Sequence, residues 1–269
     1  MISVTLDSMS LVAITREVSL GINHCELSYQ AREPVDLASA ITQHKAYQVC
    51  LSELGLRVIV LPAQPELPDS VFVEDTAIVL DELAVIMRMG APSRRPEASS
   101  MPMALAPYRS LAFLAEPATM DGGDVLCVGR SIFVGLSRRT NQEGVSQLNK
   151  LLQAHGYTVI GIEVKECLHL KSACSYLGDR TMLVNRAGLA AEQLAGFYLL
   201  DVPEEEPAAA NVLRIHDTIV MPASFPRTRA LLEARGLKVR PVEVSELQKA
   251  EAGVTCCSLI FRSDCRSET

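Results

Sequence analysis

The sequence predicts an α/β fold made of repeated ββαβ units, set radially around a central channel. Three observations carry this. Three helical segments end on a glycine followed by a short strand, four pairs of apolar runs are broken by tight turns, and the two patterns alternate along 269 residues. The helix ends are SELGLRVIV with Gly55, QAHGYTVIG with Gly156 and EARGLKVRP with Gly236. Each glycine suits the left-handed position just past a helix, and a valine then opens a strand. The helix before Gly156 places Val145, Leu148, Leu151 and Leu152 on one face after a Thr140/Asn141 cap; the one before Gly236 places Leu231 and Leu232 after a Ser224 cap.

The apolar pairs are residues 77–88, 124–136, 174–186 and 211–222, each with a turn at its centre, and they read as β-hairpins. The order hairpin, helix, strand recurs with centres roughly 35 to 50 residues apart, a period of radial or stacked repetition. Pairing the N-terminal LVAIT with the C-terminal TCCSLIFR adds a last unit, gives about five, and closes the ring. An ordinary α+β sandwich is the alternative. Residues 91–107 are the loosest segment and read as a surface loop, so one domain spans 1–269.

Composition narrows the function. Net charge is −7, with no run of basic residues, so the chain lacks the footprint that phosphate backbones require and nucleic acid is not an expected partner. Hydrophobic content of 48% against 21% charged residues is globular, without a stretch long enough to span a bilayer. The N-terminus MISVTLDSMS has an acid where a signal peptide is basic, which predicts a cytoplasmic protein. Eight cysteines include no C-x-x-C pair and no zinc spacing, so neither a metal nor another cofactor is expected.

Polar residues at strand ends around a channel mouth are the candidates for chemistry. Asp69, Glu74 and Asp75 flank the apolar run Val71–Val73, and Asp121 and Asp124 flank Gly122-Gly123. A lone acid of this kind is ordinarily a solvated turn. The Glu74–Asp75 pair beside an apolar strand instead calls for a cation, and a cationic ligand would supply it. His169, in CLHLKSAC, alternates with Leu168 and Leu170 as on a strand; it is either a surface imidazole or, by elimination among five histidines, a general acid/base. Cys256 opens CCSLIF after a glycine-containing turn, as an activated thiolate or a structural thiol, and Cys257 should face packing. Arg94 and Arg139 are either solvated charges or a clamp for an α-carboxylate.

FVEDTA (72–77), GAPSRR (90–95), DGGDV (121–125), GLSRRTN (135–141), LHLKS (168–172) and TCCS (255–258) occur together in one order. In that order the chain resembles the dimethylarginine dimethylaminohydrolase family, of the guanidino-group-modifying superfamily that includes arginine deiminase. The likeness runs from about Leu20 to Phe261 and takes in PEEEPAAANV (203–212) and MPASFPRTR (221–229). It implies a five-bladed α/β propeller with pseudo-fivefold symmetry, and hydrolysis of N-omega-methylated arginines to citrulline and a methylamine through a covalent thiouronium on cysteine. It makes Cys256 the nucleophile, His169 the general acid then base, and Asp121 the carboxylate that orients the imidazole. Asp75 with Glu74 would hold the guanidinium. Leu27, Asp69, Arg94 and Arg139 would recognise the amino-acid end, and the carbonyl of Ala250 would also touch substrate. The implied partner is this small-molecule substrate, with the oligomeric state open and a homodimer included.

Three features depart from the family pattern. Glu251 stands where an aspartate is usual, which would alter how the distal guanidinium nitrogens are held, Met89 stands where proline is common, and the lid segment 21–34 matches weakly. Competing expectations are an arginine deiminase, a non-catalytic scaffold on the same propeller, and a redox sensor at Cys256-Cys257.

Overall fold

The computed structural model describes residues 9–264. Cys265 and the first eight residues, on which the reading of the N-terminus rests, lie outside them. Five three-stranded sheets follow one plan, in which a middle strand pairs in parallel with the strand that follows its crossover and antiparallel with the other neighbour. In the first sheet β1 (Met9–Arg16) pairs in parallel with β2 (Arg57–Leu61) after the helix α1 (Leu37–Glu53). The second holds β3 (Ala77–Val79), β4 (Leu83–Ile86) and, after the short helix α2 (Met101–Leu105), β5 (Ser110–Phe113). The third holds β6 (Val125–Val128), β7 (Ser131–Leu136), α3 (Gln142–Leu152) and β8 (Thr158–Glu163). A short helix α4 (Leu170–Ala173) leads into β9 (Cys174–Gly178), β10 (Thr181–Val184) and β11 (Tyr198–Asp201). The fifth holds β12 (Leu213–Ile215), β13 (Thr218–Pro222), α5 (Pro226–Glu233) and β14 (Lys238–Val242). After α6 (Ser245–Gln248), β15 (Leu259–Asp264) returns to pair antiparallel with β1, so the first sheet is completed by the last strand.

The middle strands explain why the ring closes. Alternate side chains of a strand face opposite ways, so a strand apolar at every position must be covered on both faces. On β13, Ile219 and Met221 join one core cluster and Val220 another; on β7, Ile132 and Val134 join one and Phe133 another. The same split occurs on β1, β4 and β10, giving five clusters, one between each neighbouring pair of blades. The first strand of every blade faces the axis. Residues of β3, β6, β9, β12 and β15 line a central cavity of about 390 Å³, which also meets Glu74, Lys171 and Thr255. The radial arrangement and its channel are therefore as the sequence predicts, and the sandwich alternative is not.

Several local expectations change. Gly55, Gly156 and Gly236 do take positive φ, at 89°, 76° and 78°. Asn141 caps α3 by accepting from the Gly144 N–H at 2.8 Å. Ser224, however, does not cap α5; its hydroxyl goes to Gln248, and the Glu206 carboxylate accepts from the first-turn amides of Arg227 and Thr228 at 2.8 and 2.7 Å. Two crossovers lack a full helix. Residues Pro92–Ser100 form a 3-10 run, because the prolines there remove amide donors that an α-helix would use, and the fourth blade crosses by two 3-10 turns. The segment 91–107 is thus no loose loop, and it buries Arg94 and Glu97.

Candidate active site

The site forms where the segments that lead from one blade into the next meet at one end of the channel. Glu74 and Asp75 lie on a 3-10 turn (Val73–Thr76) directly before β3, and both are buried. A buried acidic pair needs positive charge, and the chain supplies it. Lys171 Nζ donates to Glu74 Oε1 at 2.5 Å and Thr255 Oγ1 donates to Glu74 Oε2 at 2.8 Å. Asp75 accepts from Arg94 Nη1 at 2.8 Å and from the Gly123 N–H at 2.9 Å. The counter-charge expected from a ligand alone is therefore already present in the protein. Burial would raise the Asp75 carboxyl, but the charges of His169 and Arg94 overcome it and hold it down at about 2.

His169 is buried, and it is not on a strand: it stands at the N-terminus of α4 in extended conformation. The alternation of leucines around it belongs to a turn entering a helix. That turn is pinned by Asp124, which accepts from the Leu170 N–H at 2.9 Å and from the Ser137 and Thr140 hydroxyls at 2.6 and 2.7 Å. The His169 Nε2 lies 3.1 Å from Asp121 Oδ2, and Nδ1 lies 3.9 Å from Asp75 Oδ1. Asp121 is fully buried, and its other oxygen accepts from the Gly90 N–H at 2.8 Å. Burial opposes charge on the imidazole, yet Asp75, Asp124 and Asp121 together raise it to about 9. At neutral pH the ring is an imidazolium with Nε2 held and Nδ1 turned to Asp75.

Close packing of these groups depends on the Gly122-Gly123 pair. A Cβ on Gly123 would fall 2.6 Å from His169 Nδ1 and 2.8 Å from Asp75 Oδ1, and one on Gly122 would fall 2.0 Å from the Glu74 carbonyl oxygen. No other residue fits there.

Cys256 lies in the turn that precedes β15, not at the start of the strand. Its sulfur accepts from the Gly253 N–H at 3.4 Å, and its carbonyl accepts from the Glu74 N–H at 3.2 Å, which ties the turn to the acidic pair. Burial, then Glu74 and Asp75, push the thiol up to about 12. A standing thiolate is thus not what this environment favours. Cys257 is buried in the core cluster, as its neighbouring position predicts.

The residues expected to recognise the amino-acid end lie beside them. Arg94 uses three of its five N–H donors within the protein, with Nη1 on Asp75 while Nε and Nη2 meet the Glu97 carboxylate at 3.1 and 2.9 Å. Arg139 reaches Asp121 through Nη1 and the Ser28 hydroxyl through Nη2, both at 3.4 Å. Both arginines act on the buried Asp69, whose carboxyl is nevertheless raised by burial. Asp69 accepts from the Glu26 N–H at 3.0 Å, next to Leu27. Leu27, Ala250 and Cys256 belong to one cluster. A cavity of about 250 Å³ adjoins this group, lined in part by Tyr29, Leu168, Glu251 and Gly253.

Glu97 and Lys171 had no role in the sequence reading, and Asp124 was only a candidate acid beside Gly122-Gly123. The signals were slight: Glu97 stands three residues after Arg94 as the one acid of the segment 91–107, and Lys171 two after His169. Among the described residues, Asp75, Asp121 and His169 bring donor atoms within 4.8 Å of one another, close enough to share a cation. A metal would need neutral imidazole, whereas here the histidine is charged and Arg94 already pairs with Asp75.

Comparison with known proteins bears on the family. A family model described as N,N dimethylarginine dimethylhydrolase, eukaryotic, matches residues 14–260. The N(G),N(G)-dimethylarginine dimethylaminohydrolase of Streptomyces coelicolor is 37% identical over 93% of this chain and 96% of its own length. That of Pseudomonas aeruginosa is 34% identical over 84% and 90%. The solved structure of a cysteine-to-serine mutant of the Pseudomonas aeruginosa protein, complexed with citrulline, superimposes with a TM-score of 0.89 at 31% identity, covering 95% of this chain and all of that one. Among the described residues, no helix is long and apolar enough to cross a membrane. The chain belongs to the dimethylarginine dimethylaminohydrolase family.

Proposed function

We propose that the chain, working as one catalytic domain, hydrolyses N-omega-methylated arginines to citrulline and a methylamine, with Cys256 as nucleophile, His169 as acid then base, and Asp121 orienting the ring. The observation that carries this is the buried imidazole, fixed through Nε2 by Asp121 while Nδ1 faces Asp75, the carboxylate whose charge also acts on the Cys256 thiol.

The same charges explain how a neutral thiol becomes reactive. Glu74 and Asp75 hold the Cys256 proton on. A guanidinium seated against these carboxylates offsets their charge, so the substrate itself lowers the thiol and releases its proton to solvent. Sulfur then bonds to the guanidinium carbon. His169 gives its proton to the departing amine as the C–N bond breaks, which leaves a thiouronium on Cys256. Neutral His169 next takes one proton from water as oxygen bonds to the same carbon; the C–S bond then breaks as the remaining hydroxyl proton leaves oxygen for sulfur, so Cys256 is again a thiol and citrulline leaves. Holding carbon against sulfur is worth roughly 7–11 kcal/mol and acid–base help about 10²–10⁴-fold, so positioning dominates. The substrate cation, the carboxylates and the imidazole supply every charge these steps require.

Arg94 and Arg139, beside Asp69 and Leu27, would serve as a fork for the α-carboxylate, with Asp69 as the acid for the α-amine. Cytoplasmic residence remains part of this reading, since the free thiols on which it depends persist in a reducing compartment. The test is citrulline and amine release from arginine, monomethylarginine and asymmetric dimethylarginine, with Cys256→Ser beside the parent. Faster turnover of arginine than of the methylated forms would favour a deiminase. Binding of arginine analogues without citrulline would favour a scaffold.

A further inference from the structure

Glu251 is ringed by main-chain donors from a distant part of the chain. The Ser28 N–H donates to both carboxylate oxygens at 3.0 Å, and the Tyr29 and Gln30 N–H groups donate to Oε1 at 2.5 and 2.6 Å. Three consecutive amides aimed at one anion form a nest, and bonds to an ionised acceptor are roughly twice as strong as neutral ones. Glu251 itself sits at φ +59°, in the left-handed region that non-glycine residues seldom adopt. It lies between Ala250 and the turn that carries Cys256.

The segment so held is the one that carries Leu27. On the other side of Leu27, Glu26 is fastened twice: its N–H to Asp69, and its carboxylate to the Ser93 hydroxyl at 2.5 Å. Leu27 is therefore suspended between two anchors, one on the acid assigned to the substrate's amine and one on the nucleophile turn. Ser28 also meets Arg139, and the Tyr29 ring lies 5.5 Å from the Arg138 guanidinium.

We propose that Glu251 is a positioning residue, the clasp that seats residues 26–30 and sets Leu27 over the amino-acid end of the substrate. The substrate part rests on the proposed function; the clasp does not. Because both of its oxygens are taken by the strap, Glu251 acts on Leu27 and not on the distal guanidinium nitrogens. The position tolerates an acid of either length only to the extent that the carboxylate still reaches the nest.

The test is hydrogen exchange of the peptide covering residues 26–31, alongside steady-state kinetics on asymmetric dimethylarginine, for the parent, Glu251→Gln and Glu251→Asp. With Gln, which offers one neutral acceptor, the amides of Ser28, Tyr29 and Gln30 should exchange about tenfold faster while those of β4 and β7 are unchanged. KM should rise about tenfold with kcat within about threefold. Asp, which keeps the charge, should restore most of both. Unchanged exchange in Glu251→Gln, or equal effects of Gln and Asp, overturns the clasp. Should Glu251→Gln fail to fold, Glu251→Gly, which suits the left-handed backbone there and removes the carboxylate, takes its place: faster exchange at residues 28–30 with KM raised about tenfold supports the clasp, and parent-like exchange and KM overturn it. If the parent makes no citrulline, the proposed reaction fails, and the exchange contrast still judges the clasp.

Discussion

Cys256 sits in a field that opposes its ionisation, and His169 in one that favours its charge; the chemistry follows from that opposition. Replacing Cys256 with serine should lower kcat by about 10⁴-fold or more, because the hydroxyl is a far weaker nucleophile in the same acidic field. His169→Gln should cost about 10²–10⁴-fold in kcat with KM little changed, since it removes the proton donor and leaves the carboxylates. The pH dependence has a definite sign. With its folded value at about 9 against an ordinary 6.5, His169 contributes stability that is complete below pH 6.5 and is lost as pH rises through 9. Burial raises Glu97 to about 7 and Asp124 to about 6, so their losses come at lower pH. The parent's Tm should therefore fall between about pH 7.5 and 9, and His169→Gln should flatten that decline; an equal slope in both proteins contradicts the assignment. At this scale the sequence offered little. Asp75, Asp121, His169 and Cys256 are ordinary residues at ordinary turns, and only their order along the chain set them apart, because nothing local records which of them are buried together.

Elements place these residues by turns more than by strands. The Asp121–Asp124 turn works because two glycines let the 74–75 turn and the His169 ring approach to contact. Gly123→Ala should cost activity about 10²-fold, by shifting the imidazole about an ångström, with a stability loss of about 1–3 kcal/mol measured in urea. The α5 cap is long-range: Glu206→Ala should destabilise by about 1 kcal/mol, read as a Tm lowered by a few degrees, while Ser224→Ala should not. Hairpins and helix stops were legible because two- and 3.6-residue periods and C′ glycines are local properties. The true cap of α5 was not, since a serine beside a helix and a glutamate twenty residues earlier have equal claims until the chain folds. The same applies to His169, where alternating leucines on a helix entry mimic a strand.

The whole molecule is a ring whose joint is the β1–β15 pairing. Phe261 is buried in the cluster that the first and second blades share. Phe261→Ala should cost about 3–5 kcal/mol in a single cooperative urea transition. An early separate transition would mean that the blades fold independently. Ring architecture was readable from the repeat, with a half-unit at each end of the described chain, because each blade restates the same pattern. The convergence of residues from 27 to 256 upon one end of the channel emerges only on closure. That convergence makes one chemical claim, that substrate carbon becomes bonded to the sulfur of Cys256. Acid-quenched turnover of asymmetric dimethylarginine, analysed by peptide mass spectrometry, tests it most directly. A substrate-derived amidino adduct on the Cys256 peptide, formed with amine release and absent from Cys256→Ser, is the predicted result. Citrulline made by Cys256→Ser at the parent's rate would contradict it.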